Sequence, residues 1–233
     1  MTPPVAILAG GLATRMGDIT RSIPKALLDV AGKPFVVHQL ELLHAHGFKH
    51  VVLCIKHLAE QVEAALGDGH ALGVEIAYSN DGGKLLGTGG ALRNALPLLG
   101  DRFLVLYGDS YLTCDYMDVL RCFEASGKLG LMTVYKNDGR YDASNVSYAD
   151  GNILRYDKHE TAGMTHIDYG LGVLRAEALA GYDDAPLDLA KVYQDLLARG
   201  ELAGYEVTER FYEIGSVAGL EDTRRLLAAK ESP

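Results

Sequence analysis

The sequence predicts an α/β fold: a doubly wound, mostly parallel sheet with a small antiparallel lobe added in its second half. Three observations carry this. Short, wholly apolar runs alternate with helix-period segments through the first half, and glycines follow those runs at once. Past about residue 130 the spacing shortens to strand-like runs around a hairpin signal.

Taken in order, Val5–Leu8 is an apolar run that breaks into Gly10-Gly11, the pattern of a buried parallel strand feeding a loop. Pro34 opens a helix in which Phe35, Val36, Leu40 and Leu43 recur at helical spacing until Gly47 stops it. Val51–Ile55 reads as a strand, Leu58–Leu66 as a helix closed by Gly67, and Val74–Tyr78 as a third strand. Gly89–Leu98 is helical, and Phe103–Tyr107 is a fourth strand ending at Gly108-Asp109. Such alternation implies βαβ units with right-handed crossovers. In the second half Leu131–Tyr135, Val146–Ala149, Ile153–Tyr156 and Asp168–Leu174 are strand-like, with Asp150-Gly151-Asn152 as a hairpin turn. Leu187–Leu197 and Val217–Leu227 are amphipathic helices, the latter entered through Ser216 as N-cap. No repeat, low-complexity tract or Pro/Ser linker interrupts the chain. Residues 1–233 are therefore expected to form a single unit, with one half over about 1–130 and a second over about 131–233.

Composition narrows the function. With 48% hydrophobic and 23% charged residues, the chain can bury an ordinary core. Its formal net charge of −9 argues against nucleic acid as a partner, because phosphate-backbone affinity needs Lys and Arg in excess. Residues 1–33 depart from that balance: Arg15, Arg21, Lys25 and Lys33 face only Asp18 and Asp29. Cys54, Cys114 and Cys122 are too irregularly spaced for a disulfide framework or a zinc ribbon, and Cys54 reads as a buried hydrophobe. The N-terminus lacks the charged start and long apolar stretch of a signal peptide, and no run reaches the ~18 apolar residues of a membrane span. A soluble, cytoplasmic protein without a membrane partner is expected, and self-association is left open.

The most informative segment is Leu8-Ala9-Gly10-Gly11-Leu12-Ala13-Thr14-Arg15, followed by Pro24-Lys25. Glycines at the carboxyl end of a parallel strand let backbone N–H groups approach an anion. Arg15 can grip phosphate oxygens with its fork of donors, and Lys25 adds a point charge. Neither a Walker loop nor a dinucleotide fingerprint fits the spacing. Gly87-Thr88-Gly89-Gly90 precedes a helix, where a glycine turn offers free N–H donors and room for a flat ring. Asp109 follows the fourth strand, where a carboxylate can hold Mg²⁺ or cap a helix. Asp115 and Asp118 read as cap or surface residues. His44, His46 and His50 do not share a helix face for chelation, and no nucleophile elbow or zinc motif occurs.

These motifs together resemble the sugar-1-phosphate nucleotidylyltransferases, whose G-G-x-G-T-R loop and downstream P-K match Gly10–Arg15 and Pro24-Lys25, with Ala13 in place of a glycine. The resemblance continues through Leu86–Ala91, Tyr107-Gly108-Asp109, Asp157-Lys158 and Phe211–Gly215. Details such as His166–Leu171 look closest to the D-glycero-D-manno-heptose 1-phosphate guanylyltransferase branch. The resemblance implies a Rossmann-like nucleotide half and a sugar-binding lobe, with NTP and sugar 1-phosphate as partners. It makes Arg15 and Lys25 catalytic, and Leu8, Ala9, Gly10, Gly11, Thr14, Gly87, Thr88 and Asp109 nucleotide-binding. Lys158, Asn145, Tyr169 and Gly170 become sugar-phosphate contacts. Mg²⁺ would lie between Asp109 and Glu213, the latter replacing the family's usual Asp.

The implied reaction is direct in-line attack of the sugar phosphate on the α-phosphate of an NTP, GTP with a heptose or hexose 1-phosphate on the branch resemblance. Two competing readings keep the fold. One is a cytidylyltransferase for a phosphocholine- or phosphonate-like acceptor, served by Tyr141, Asp142, Tyr156 and Tyr169. The other is a non-catalytic nucleotide-sugar-binding regulator, which has no need to retain Arg15, Lys25, Asp109, Glu213 and Lys158 together.

Overall fold

The computed structural model describes residues 2–11, 23–182 and 186–231, with the side chain of Glu231 excluded. The elements of the first half are β1 (Val5–Leu8), the short hairpin strands β2 (Asp29–Val30) and β3 (Lys33–Pro34), α1 (Phe35–Ala45), β4 (His50–Ile55), α2 (Ala59–Leu66), β5 (Glu75–Asn80), α3 (Gly87–Leu99) and β6 (Arg102–Tyr107). There follow β7 (Ser110–Tyr111), α4 (Tyr116–Ser126), β8 (Gly130–Lys136), β9 (Val146–Ala149), β10 (Asn152–Tyr156), β11 (His166–Arg175), α5 (Leu189–Ala198), β12 (Leu202–Val207), β13 (Tyr212–Glu213) and α6 (Val217–Glu231).

The sheet is doubly wound as the apolar runs predict. β6, β1, β4 and β5 are consecutive parallel neighbours, with Leu8 level with Tyr107 on one side and Cys54 on the other. Alternation along each strand sorts side chains into two layers. Val5, Ile7, Val51, Leu53, Leu104 and Leu106 face a core closed by α1, α2 and α4. Ala6, Val52, Cys54, Phe103 and Val105 face the opposite core, closed by α3 and α5. Burying each large aliphatic side chain contributes about 1.5–3 kcal/mol, so these two layers fix the strand register.

Beyond β6 the sheet turns antiparallel. The ten-residue β11 pairs with β6 along one edge and with β8 along the other. The β9–β10 hairpin meets β11 at its start, His166 opposite Val146. The two-residue strands β2, β3, β7 and β13 and two longer elements, β12 and α4, are absent from the sequence reading. β12 lies parallel beside β8, and its Gly204 and Glu206 disguise the strand pattern. α4 is an amphipathic helix burying Tyr116, Val119, Leu120 and Phe123, with the Asp115 carboxylate accepting from the Met117 and Asp118 N–H groups as N-cap. The cap reading of Asp115 therefore holds. No helix among the described residues is long and apolar enough to cross a membrane.

Candidate active site

Because β6, β1, β4 and β5 run parallel, their carboxyl ends open on one edge, where open α/β sheets bind ligands. The loops leaving those ends carry, across the sheet, Gly108-Asp109, then Ala9–Gly11, then Lys56, then Asp81. A cleft of about 400 Å³ runs over all four, walled by Leu85–Thr88 at the start of α3 and by Lys25 and Gly215 at one end. Leu8, Ala9, Gly10, Gly11, Gly87, Thr88 and Asp109 all line it.

The Asp109 end is built by tertiary pairing. Buried Gln39 donates to the carbonyls of Tyr107 and Ser110 at 3.0 and 2.7 Å, which fixes the turn after β6. β7 then pairs antiparallel with β13, Ser110 opposite Glu213, and Ile214 N–H donates to the Asp109 carbonyl at 2.9 Å. This brings two carboxylates 104 positions apart in sequence to one point. Lys25 Nζ donates to Asp109 Oδ2 at 2.6 Å. Glu213 accepts from the N–H groups of Gly215 and Ser216 and from the Ser216 hydroxyl, so its charge rests against the first turn of α6. Gly215 floors the space between them. A Cβ placed there would lie 2.7 Å from Glu213 Oε2, 3.1 Å from Lys25 Nζ and 3.3 Å from Asp109 Oδ2. A cradle that a methyl group would fill, with two carboxylates aimed into it, suits a small oxygen-seeking cation; the residues fit Mg²⁺.

The glycine turn of α3 serves a different purpose from the one its sequence suggests. Gly89 and Gly90 do not present free donors: both N–H groups donate to the Leu187 carbonyl, at 2.8 and 3.1 Å. Gly87 has φ of +74°, and a Cβ there would drive into the same Leu187 carbonyl. The motif thus seats the extended segment entering α5, leaving Gly87 and Thr88 on the cleft wall. The Thr88 hydroxyl donates to Asp188 Oδ1 at 3.1 Å and accepts from Leu189 N–H at 2.8 Å. Asp188, the N-cap of α5, also receives Lys158 Nζ at 3.4 Å. Burial pushes the Asp188 carboxyl up, but the Ala190 N–H, the Lys158 charge and the Thr88 hydroxyl outweigh it and hold it below the ordinary range. One carboxylate therefore ties the sequence-predicted nucleotide residue Thr88 to the predicted sugar-phosphate residue Lys158.

Beside Lys158 lies a polar cluster containing Asn145 and Gly170, together with Tyr156 of the alternative acceptor reading and two residues the sequence reading does not assign, Asp168 and Tyr107. Asn145 Oδ1 accepts from Asp168 N–H at 2.8 Å, and Asp168 takes the hydroxyls of Tyr107 and Tyr156 at 3.0 and 3.2 Å. Burial pushes the Asp168 carboxyl up, against the pull of the Gly170 N–H, Lys158 and the two tyrosines. Gly170 backs onto Tyr107 and Ser110. Tyr169 is a correction: β-strand alternation turns its ring to the other face, where it is 1% exposed and stacks edge-on to Phe211. Of that pair it is Asp168 that joins the cluster with Asn145, Tyr107 and Tyr156. The strand alternation was the available signal.

Arg15 and Thr14, and with them Leu12 and Ala13, lie outside the described residues. Cys54 is buried and its thiol is pushed up to about 12, first by burial and then by Asp81, so it is inert. The histidines diverge: His44 meets the Gly73 carbonyl, His46 stacks on Tyr116, and His50 pairs with Glu75.

Comparison with known proteins agrees with this geometry. Residues 5–143 match the family described as Nucleotidyl transferase. The chain is 32% identical over 230 residues to the N-acetylmuramate alpha-1-phosphate uridylyltransferase of Neisseria meningitidis, covering 96% of this chain and 97% of that one. It is 29% identical to a mannose-1-phosphate guanylyltransferase catalytic subunit beta of Xenopus tropicalis, over 90% of this chain but 60% of the relative's length. Among solved structures, a putative glucose-1-phosphate thymidylyltransferase of Bacillus anthracis superposes with a TM-score of 0.84 at 20% identity, covering 97% of this chain and 95% of that one; this likeness bears on the fold.

Proposed function

The chain belongs to the nucleotidyl transferase family and is a sugar-phosphate nucleotidyltransferase, and from that premise we propose that it condenses an NTP with a sugar 1-phosphate by direct in-line transfer. A phosphate oxygen of the sugar 1-phosphate forms the new bond to the α-phosphorus. The bond from that phosphorus to the β-phosphate bridging oxygen breaks, and pyrophosphate leaves with its electron pair. The nucleophile is already an anion, so no general base is needed. Catalysis is then positioning and charge compensation.

The single observation that carries this reading is the convergence of Lys25, Asp109 and Glu213 on the space above Gly215, at one end of the cleft. Lys25 would leave Asp109 for phosphate oxygens and offset the charge gathering on the leaving group. Asp109 and Glu213 would hold Mg²⁺, which when bound neutralises phosphate charge and orients the α-phosphate. Lys158, released from Asp188, would anchor the incoming phosphate, while Asn145 and Gly170 face the sugar. The loop from Leu8 to Gly11 would follow the triphosphate, and Arg15 and Thr14 on its continuation would extend that grip.

For the finer substrate, we take GTP and a heptose or hexose 1-phosphate, on the motif resemblance at His166–Leu171 and the guanylyltransferase relative. The full-length uridylyltransferase relative favours a second reading, UTP with an amino-sugar 1-phosphate. Isotope placement tests the reaction itself. With ¹⁸O in the non-bridging phosphate oxygens of the sugar 1-phosphate, the label should appear in the nucleotide sugar and stay out of the pyrophosphate. Label in the pyrophosphate would overturn direct attack on the α-phosphorus.

A further inference from the structure

Glu213 is one methylene longer than the aspartate that usually stands at its place in the family motif, so its carboxylate fills space that an aspartate would leave empty. The helix that follows supplies that space and holds the residue at both ends. The Glu213 backbone carbonyl accepts from the Thr223 hydroxyl at 2.9 Å, a proton shared with the Gly219 carbonyl at 2.8 Å. The side chain folds back onto the start of α6. There Oε1 accepts from the Ser216 hydroxyl at 2.6 Å, and Oε2 accepts from the N–H groups of Gly215 and Ser216. Ser216 is itself fixed, because its hydroxyl oxygen caps the helix by accepting from Gly219 N–H at 3.0 Å.

Between its pinned carbonyl and its pinned carboxylate, Glu213 arches over Gly219 in the first turn of α6. A Cβ at residue 219 would overlap Glu213 Oε1, and would lie 2.5 Å from Cδ and 2.7 Å from the carbonyl oxygen. Glycine inside a helix is less stable than alanine, so its presence there calls for a steric reason. Glu213 is that reason. Gly215 clears the opposite side, where a Cβ would meet Oε2, Lys25 and Asp109. The carboxylate therefore passes between two positions that lack side chains, one opening on the cation cradle and the other on the helix.

We infer that Gly219 is a positioning residue: its missing side chain, together with the Ser216 hydroxyl, sets the Glu213 carboxylate beside Asp109 and so lets a glutamate serve as the second cation ligand. A side chain at residue 219 would push the carboxylate off its Gly215 and Ser216 donors, because the carbonyl held by Thr223 leaves the rest of Glu213 little room to retreat. An aspartate at residue 213 would draw the carboxylate back from Gly219 and relieve that part of the collision, leaving the carbonyl contact alone. Residues 213 and 219 are thus a matched pair. The consequence for the cation rests on the Mg²⁺ placement of the proposed function, whereas the steric pairing stands apart from it.

The test is a double-mutant cycle over the wild type, Gly219→Ala, Glu213→Asp and the double variant, with Asp109→Asn alongside. Each is read by thermal melting and by Mn²⁺ titration followed by electron paramagnetic resonance. Gly219→Ala should lower the melting temperature, and the loss should be smaller by about 2–4 °C when residue 213 is aspartate. The same substitution should weaken Mn²⁺ binding about 10- to 100-fold, as loss of an outer support for a ligand does, and the double variant should bind Mn²⁺ more tightly than Gly219→Ala alone. Ser216→Gly, which a helix start tolerates at little loss, covers the case in which Gly219→Ala does not fold; it frees Oε1 and should weaken Mn²⁺ binding by itself. Equal melting losses in the two backgrounds overturn the inference. So does Mn²⁺ affinity that falls in Asp109→Asn but ignores Gly219→Ala and Ser216→Gly, an outcome that leaves the proposed function standing. Mn²⁺ affinity that falls in none of the variants removes the proposed Mg²⁺ placement, and the inference with it.

Discussion

Lys25 and Asp109 lie 2.6 Å apart and mostly shielded, a pair that ligand binding must rearrange before either touches phosphate. If Lys25 offsets charge on the leaving pyrophosphate, Lys25→Ala should lower kcat by ~10²–10³ with little change in the melting temperature, in line with loss of one preorganised donor. Lys158 acts at the other substrate. Lys158→Gln should raise KM for the sugar 1-phosphate about tenfold and leave KM for the NTP nearly unchanged, as steady-state kinetics with each substrate varied would show. At this scale the sequence discloses residues whose neighbours form a motif: Asp109 after Gly108, Lys25 after Pro24, and Glu213 before Ile214-Gly215. Asp168 and Asp188 are not legible as members of the cluster from the sequence, because each gains meaning only from partners distant in sequence. Asp188 meets Thr88 and Lys158 only when α3, α5 and the end of β10 are assembled.

Helix starts carry the next layer. The Leu187 carbonyl is clasped by the N–H groups of Gly89 and Gly90, and Gly87 stands against it at φ +74°. Gly87→Ala combines a left-handed backbone with a backbone collision, so it should destabilise the fold by about 1–3 kcal/mol and raise KM for the NTP, seen by chemical denaturation and kinetics. At α4 the Asp115 carboxyl is held below its ordinary range, first by the Asp118 N–H, with the Met117 N–H and Arg121 assisting against slight desolvation. A depressed folded-state pKa means that its stabilisation is complete above the unfolded value and is lost as pH falls through the folded value. Asp115→Ala should therefore cost about 0.5–2 kcal/mol at neutral pH, and the gap in melting temperature from wild type should close as the pH falls below the ordinary carboxylate range. Periodicity makes the parallel strands legible from the sequence, because their apolar runs are continuous. It fails for β12, where Gly204 makes room for Tyr148 and Ile153 rather than marking a turn. The glycines of α3 mislead in a similar way: their composition signals a tight approach, and the structure supplies a neighbouring backbone as the thing approached.

Across the whole molecule, the acidic balance of −9 and a polyanionic substrate are compatible because the cations are local. Lys25, Lys56 and Lys158 come from three separate loops, and the sheet edge gathers the first two in the cleft, with Lys158 tied to its Thr88 wall through Asp188. The same edge orders the proposed chemistry in space, from paired carboxylates beyond β6 to the glycine loop of β1. The antiparallel part of the sheet continues from β11, whose pairing with β6 brings Asp168 against Tyr107. The most direct measurement of the central claim is pyrophosphate release across the four common NTPs and a panel of sugar 1-phosphates in the presence of Mg²⁺. Sustained release that requires both substrates, and that falls by ~10² or more in Asp109→Asn, is the predicted result. No release with any pair, or release from NTP alone at the same rate, would contradict it.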